Sequence, residues 1–252
     1  MRGLKGKAGI VAGGGRGIGA ATARRLAEEG AAVVIGDIMG DWAEEVAADI
    51  RSKGGKAIGV RLDGTSADSQ AEIVAAAKKE FGGIDFYHSN LAGGTEGDVD
   101  ALNCPIEVLE KSFAINSKSH FLATQAALPA LIGRGGGAMI YTSSGAASGG
   151  APWQVAYPMT KNAIHALARH VASRWGKEGV RANVICPGLV LTEAVKQHLT
   201  DEYVERGLKA VPHVRLGQPE DIAGMVAFLA SDDGAWVNGQ VYHVNGGAQM
   251  RD

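Results

Sequence analysis

Ala8-Gly9-Ile10-Val11-Ala12-Gly13-Gly14-Gly15-Arg16-Gly17-Ile18-Gly19, then Ala20 to Glu29, then Ala31-Ala32-Val33-Val34-Ile35-Gly36-Asp37, is the stretch that decides the fold. Ala8 to Ala12 is short, apolar and followed by glycines, as a buried strand is. Ala20 to Glu29 has helical spacing and stops at Gly30, a natural C-terminal cap. Ala31 to Gly36 is a second buried strand, ending on Asp37. Strand, glycine turn, helix, strand, acid is the order of a dinucleotide-binding βαβ unit. The glycines let the backbone approach a pyrophosphate, and the helix N-terminus offers unpaired N–H groups and a positive dipole end. Asp37 falls where the ribose hydroxyls of an adenosine lie. Two frames fit the turn: Gly15-x-Gly17-x-x-Ala20 and Gly13-x-x-x-Gly17-x-Gly19. A turn of this kind also serves methyltransferases that bind S-adenosylmethionine, and a glycine turn without a ligand reads the same. A nucleoside-triphosphate P-loop does not fit, because no Gly-Lys-Ser/Thr follows.

Outward from this unit the alternation continues. Helical patterns cover Asp41 to Ser52, Ala67 to Phe81, roughly Pro105 to Leu131, Val155 to Trp175 and Pro219 to Ala230. Strand patterns cover Lys56 to Leu62, Ile84 to Ser89, Ala138 to Thr142, Arg181 to Ile185 and Gly239 to Val244. The expected fold is α/β, a doubly wound Rossmann-type parallel sheet of about seven strands with helices on both faces. No linker or composition break divides residues 1–252, so one domain is expected. Ligands of such a sheet bind beyond the carboxyl ends of its strands. Gly13–Gly19, Asp37, Asp63, Asn90, Ser143-Ser144 and Pro187-Gly188 all stand at such ends.

Composition narrows the function. The net charge is −2 with no run of one sign, which argues against nucleic acid or an anionic membrane as the main partner. Cys104 and Cys186 lack metal-ligand spacing and form no disulfide framework, and no metal is expected. No apolar run is long enough to span a bilayer, and Met1 to Ile10 does not read as a signal peptide. A cytoplasmic location follows as the expectation.

Tyr157-Pro158-Met159-Thr160-Lys161 places a phenol and an ammonium at i and i+4, one helical turn apart. Bringing a phenol from its ordinary pKa of about 10 to neutrality takes about 4 kcal/mol. One charge at about 5 Å with an effective dielectric of about 20 supplies on the order of 3 kcal/mol. The pair alone occurs on many helices. Pro158 adds a constraint: with no N–H and a ring that clashes in a helix interior, it implies a helix that has only just begun, near Val155–Pro158.

Gly13-x-x-x-Gly17-Ile18-Gly19, Asp63, Asn90, Asn116, Ser144, Tyr157-x-x-x-Lys161 and Pro187-Gly188-x-x-x-Thr192 stand together in one order. In them the chain resembles the short-chain dehydrogenase/reductase family over nearly its whole length. The resemblance selects the Gly13/Gly17/Gly19 frame. It implies Tyr157 as general acid/base, Ser144 as the group orienting the substrate oxygen, and Lys161 on the nicotinamide ribose, lowering the Tyr157 pKa. It implies that Asn116 holds a water linking Lys161 to solvent. The implied cofactor-binding set is Gly13, Gly15, Arg16, Gly17, Ile18, Gly19, Asp37, Asp63, Asn90, Tyr157, Lys161, Pro187, Gly188, Val190 and Thr192. A carboxylate at Asp37 favours NAD over NADP, although Arg16 pulls the other way.

Three departures stand out. The strand-end turn usually reads Asn-Asn-Ala-Gly, whereas Ser89-Asn90-Leu91-Ala92-Gly93 admits two frames here. Ala12 replaces a frequent Thr, and Gly64 follows Asp63 where an apolar residue is common.

The expected activity is NAD-linked interconversion of a secondary alcohol and a ketone. An NADPH-dependent 3-oxoacyl (acyl-carrier-protein type) reductase is the alternative enzyme, and a dinucleotide sensor or scaffold the alternative without catalysis. The substrate pocket is expected between Gly145–Ala146, Trp153, Leu189–Val190 and a lid over residues 192–212, where His198 and His213 are candidate substrate contacts. Family resemblance also implies a homotetramer pairing the two long helices, roughly Pro105–Leu131 and Val155–Trp175, and the C-terminal segments. His120, His165 and His170 read as surface or interface residues, His88 as a satisfied core histidine, Cys186 as an apolar strand end, and Trp175 and Trp236 as packing.

Overall fold

The computed structural model describes residues 1–196 and 200–250. The sheet is built from β1 (Ala8–Ala12), β2 (Ala32–Asp37), β3 (Lys56–Arg61), β4 (Phe86–Ser89), β5 (Gly137–Thr142), β6 (Val180–Pro187) and β7 (Val241–Val244). Their order is β3-β2-β1-β4-β5-β6-β7, and every neighbouring pair is parallel. All seven carboxyl ends therefore share one edge. The chain switches direction across the sheet between β3 and β4, and β4 lies against the free side of β1, Gly9 opposite Phe86 and Ala12 opposite Ser89.

Alternation along each strand feeds two cores. Val11, Val33, Ile35, Ile140 and Ile185 point to the face covered by α1 (Gly17–Glu28), α2 (Gly40–Ser52) and α9 (Pro219–Ala230). Ile10, Val34, Met139, Tyr141 and Val184 point to the other face. There they meet α3 (Ala67–Phe81), α5 (Ser119–Gly133) and α6 (Ala156–Trp175). Period-two burial on both faces is what a sheet covered on both sides requires.

The helix expected over Pro105 to Leu131 is interrupted. α4 (Ile106–Phe113) and α5 flank one π turn, Ala114–Lys118. The cause is tertiary. Asn116, buried in that turn, accepts from Gly93 N at 3.1 Å and donates to Gly93 O at 2.8 Å and Ser112 O at 3.1 Å. α6 begins where Pro158 requires, with Val155 as its N-cap. Beyond β6 the chain forms α7 (Glu193–Lys196) and α8 (Asp201–Ala210). The two ends of this excursion are pinned together by a parallel bridge between Val190 and Gly217, with Leu191 N donating to Gly217 O and Gly217 N to Leu189 O. No described helix is long and apolar enough to cross a membrane.

Candidate active site

The strand ends open into two adjoining cavities. The first, about 770 Å³, is bounded by Gly13, Arg16, Asp37, Ile38, Leu62, Asp63, Gly64, Asn90 to Gly93 and one face of the α4–α5 region. The second, about 440 Å³, is bounded by Gly17, Ile18, Ser144, Tyr157, Lys161, Pro187 to Val190 and Thr192 to Val195. Arg16, Asn90 and Ala92 line both.

The glycine turn is the floor between them. Gly13 has φ +74° and Gly17 φ +53°, conformations that favour glycine. A Cβ on Gly19 would lie 1.9 Å from Gly13 O, so the turn closes on itself only without side chains. Arg16, the N-cap of α1, gives no side-chain cap, and the first N–H groups of a helix have no intrahelical partner. Asp37 Oδ2 accepts from Gly15 N at 2.9 Å and Oδ1 from Met39 N at 3.1 Å, which holds the carboxylate at the end of β2. Arg16 is drawn toward α2, paired with Glu45 at 2.7 Å and stacked 4.9 Å over the Trp42 ring. This cradle fits a dinucleotide: a bare turn at a helix N-terminus for the pyrophosphate, and a fixed acid at the ribose.

Around Gly64 and Leu91 the first cavity departs from the family pattern. A Cβ on Gly64 would lie 2.7 Å from Leu91 Cδ1, so Leu91 fills the space that Gly64 leaves. Asn90 follows β4 directly and donates to Gly13 O at 3.2 Å. Asp63 accepts from Thr65 N at 2.9 Å and Thr65 Oγ1 at 2.7 Å, which lowers its pKa.

In the second cavity Tyr157 and Lys161 face one another from successive turns of α6, with Nζ 5.9 Å from the phenol ring centroid. Lys161 is fully buried. Its Nζ donates to Leu91 O at 2.9 Å and Thr142 O at 3.0 Å. Burial lowers the Lys161 pKa from 10.5 to about 7. Burial raises that of Tyr157, and a hydrogen bond with Ser144 pulls it back. This differs from the sequence expectation that Lys161 lowers the Tyr157 pKa. A lysine stripped of water this thoroughly is partly neutral at pH 7, so its charge is only partly available to the phenol.

His120 and His165 are corrected: neither is at the surface. His120 is fully buried, with Nδ1 2.7 Å from Ser89 Oγ and Nε2 3.1 Å from Leu91 O. It therefore braces the carbonyl that holds Lys161. His165 is 6% exposed, with Nε2 2.9 Å from Ser143 Oγ, and Ser143 in turn donates to Lys161 O at 2.8 Å. His88 is in the core with Nε2 2.8 Å from Thr142 Oγ1, but its Nδ1 has no partner. Burial lowers its pKa to about 3, so the ring is neutral.

Other expectations fare unevenly. Cys186 is a buried strand-end residue, and Trp175 packs on the core. Trp153 is 69% exposed and lines neither site cavity; Trp236, expected to pack, is 99% exposed. Gly145 and Ala146 do not line the second cavity. His213 faces a third cavity of about 310 Å³ on the far side of Gly188–Val190, beside Arg215 and Asp221. His198 lies outside the described residues. Sequence reading also passed over Asp98, whose carboxylate receives the N–H groups at the start of α6.

A family model described as Enoyl-(Acyl carrier protein) reductase matches residues 12–249. The 7alpha-hydroxysteroid dehydrogenase of Escherichia coli (strain K12) is 35% identical over 244 residues, covering 97% of this chain and 94% of its own. The L-rhamnose 1-dehydrogenase (NAD(P)(+)) of Sphingomonas sp. (strain SKA58) is 36% identical over 250 residues, covering 98% of each. A solved 7 alpha-hydroxysteroid dehydrogenase, complexed with NADH and 7-oxo glycochenodeoxycholic acid, superposes with a TM-score of 0.92. Its identity is 35%, over 97% of this chain and 94% of that one. The chain belongs to the short-chain dehydrogenase/reductase family. It is an NAD(P)-dependent oxidoreductase acting on CH–OH groups.

Proposed function

We propose that this chain interconverts a small-molecule secondary alcohol and its ketone with NAD(H), using Tyr157 as general acid/base. The observation that carries this reading is the shared cavity: Ser144, Tyr157 and Lys161 line one chamber that adjoins the Asp37 chamber across the glycine turn. The bound dinucleotide supplies the hydride acceptor for oxidation and the donor for reduction. Gly13 to Gly19 receive its pyrophosphate, with Asp63 and Asn90 on the adenosine side and Pro187, Gly188, Val190 and Thr192 on the nicotinamide side. Asp37 accepts from the ribose hydroxyls and repels a 2′-phosphate, which favours NAD. Arg16 does not offset this, because Glu45 and Trp42 already engage its guanidinium.

In oxidation Ser144 fixes the substrate oxygen and Tyr157 takes its proton; in reduction Tyr157 returns it. Lys161 binds the nicotinamide ribose and, with Asn116, opens a proton route to solvent. The π turn supports that role, since single π turns inside α-helices recur at functional sites. Relatives named for hydroxysteroid and sugar oxidation favour this reading over an acyl-carrier reductase. A sensor would have no use for Ser144, Tyr157 and Lys161 in one chamber.

Residues 192–212, of which 192–196 and 200–212 are described, serve as the lid of a single catalytic domain. Its base is pinned at Val190 and Gly217, and a Cβ on Gly17 would lie 3.1 Å from Thr192 Cγ2, so it starts against the glycine turn. The protein works as a cytoplasmic homotetramer. Ile106, Phe113, Phe121 and Met159 leave apolar surface exposed along the α4–α5 and α6 region, and Trp236 does so near the C-terminal strand. A monomer by light scattering at micromolar concentration would reject the tetramer. The functional test is a panel of secondary alcohols with NAD and with NADP, following reduced nicotinamide. No reduction with any alcohol rejects the activity, and tighter binding of NADP than of NAD rejects the role of Asp37.

A further inference from the structure

The first turn of α6 carries Tyr157 but has no cap of its own. Val155 at the N-cap offers no side-chain acceptor, and no acid stands in the first turn. The first N–H groups of a helix have no intrahelical partner, and Pro158 has no N–H to place. The three that remain all go to one distant carboxylate. Asp98 Oδ1 accepts from Val155 N at 3.0 Å and from Ala156 N at 2.9 Å, and Oδ2 accepts from Tyr157 N at 2.8 Å. The first intrahelical bond, Met159 N to Val155 O at 3.3 Å, follows directly. Every donor at the head of the helix is thereby accounted for.

Asp98 comes from the loop between β4 and α4, and this loop touches each working part of the site. Asn90 donates to Gly13 O in the glycine turn, and Leu91 O holds Lys161 Nζ. Gly93 is bonded in both directions to Asn116. Asp98 itself is not among the residues lining the cavity of Tyr157, so its reach to the chemistry is through the Tyr157 backbone.

We infer that Asp98 is a positioning residue, which fixes the head of α6 so that the Tyr157 phenol is held for proton transfer. This rests on Tyr157 being the acid/base, as proposed above. Charge-assisted hydrogen bonds of this kind are about twice as strong as neutral ones. The carboxylate also offsets the positive end of the helix, which opposes ionisation of a phenol carried on that turn. The other titratable or polar groups around the pair are Lys161 Nζ, the Cys186 thiol and the Ser144 hydroxyl near the phenol, Arg16 and Glu193 on the wall of the same cavity, and Cys104 Sγ 3.9 Å from Asp98 Oδ1.

The test uses Asp98→Ala and Asp98→Asn in the full chain, with kcat, KM, NADH affinity and melting temperature read together. In Asp98→Ala kcat falls by about tenfold or more, as small misplacements of a catalytic group do. NADH affinity stays within about twofold of wild type. Asp98→Asn, which keeps one acceptor oxygen, recovers most of kcat, and in both variants the limb of the pH profile that reports the base moves to lower pH. Variants that melt lower yet keep wild-type kcat and pH profile make Asp98 a structural cap only and overturn the inference. If the wild type reduces no NAD with any alcohol, the proposed function is what fails. The inference is then read from tyrosine ¹³C resonances titrated in the same chain, with Tyr157→Phe to assign the signal. A lower midpoint in Asp98→Ala or Asp98→Asn supports it, and an unmoved one overturns it.

Discussion

Lys161 makes the stability of the protein depend on pH in a way that can be worked out from its surroundings. The side chain is fully buried, and burial takes its pKa from 10.5 to about 7. In the unfolded chain the amine stays protonated up to its ordinary range. Between the two values the unfolded state therefore holds one more proton than the folded state, and stability rises with pH. Below pH 7 the full cost of burying the ammonium is present and constant. From pH 7 to pH 9 the relief amounts to about 2 kcal/mol, at about 1.4 kcal/mol per pH unit less the half-titration at the start. A neutral amine still has two N–H donors for Leu91 O and Thr142 O, so both hydrogen bonds survive deprotonation. The assay is urea unfolding at half-unit steps from pH 7 to pH 9, for wild type and Lys161→Met. Methionine removes the Nζ donor from both carbonyls, although Leu91 O keeps His120 Nε2 at 3.1 Å, which lowers the whole curve without giving it a slope. His88, His120 and His165 all have lowered pKa values and are neutral in this window. Cys186, raised by burial, acts in the opposite direction in both proteins. Wild-type stability should gain about 2 kcal/mol on Lys161→Met across the window. Parallel curves would refute the reasoning, because they would mean that Lys161 stays charged in the fold.

Other substitutions test the site separately. Tyr157→Phe should lower turnover by about 10²–10⁴-fold, the usual worth of a general acid/base, with NADH affinity unchanged in a fluorescence titration. Asp37→Ser should cut the preference for NAD over NADP by about tenfold or more, equivalent to about 1.4 kcal/mol; an unaltered ratio of dissociation constants would remove Asp37 from cofactor choice. Gly19→Ala puts a methyl 1.9 Å from Gly13 O, so the turn must open. NADH affinity should fall by about tenfold or more, and melting by a few degrees for a chain of this size.

Elements bracketed by their own neighbours were legible in the sequence. α3 runs from Ala67 to Phe81 as its pattern predicts, because Ser66 accepts from Ser69 N at one end and Gly82 turns left-handed at φ +80° at the other. α9 starts at Pro219 behind a capping box of Gln218 and Asp221. Pro158 located the head of α6 for the same kind of reason. What was not legible depends on partners far along the chain. Nothing in Ala114–Lys118 signals a π turn, because its cause is the bonding of Asn116 to Gly93. His120 lies in a helix that is apolar nearly all round, so periodicity could not tell its inner face from its outer one. His165 was misjudged because its partner, Ser143, sits on another element. Leu91 and Gly64 each look like a loss against the family pattern, and only in space does one fill the gap left by the other.

The strand order also governs how the protein is made. The partner of β1 on one edge, β2, is complete at Asp37, but its partner on the other, β4, ends only at Ser89. The intervening 52 residues (89 minus 37) take roughly 3–10 s at about 5–20 residues per second. For that interval the edge of β1, with Ile10 and Val11 among its residues, has no strand to cover it, the condition that invites pairing with another chain. Parallel pairing across such separations folds slowly in any case. Premature termination between β3 and β4 should therefore yield aggregates, whereas loss of residues beyond Val244 leaves the centre of the sheet closed.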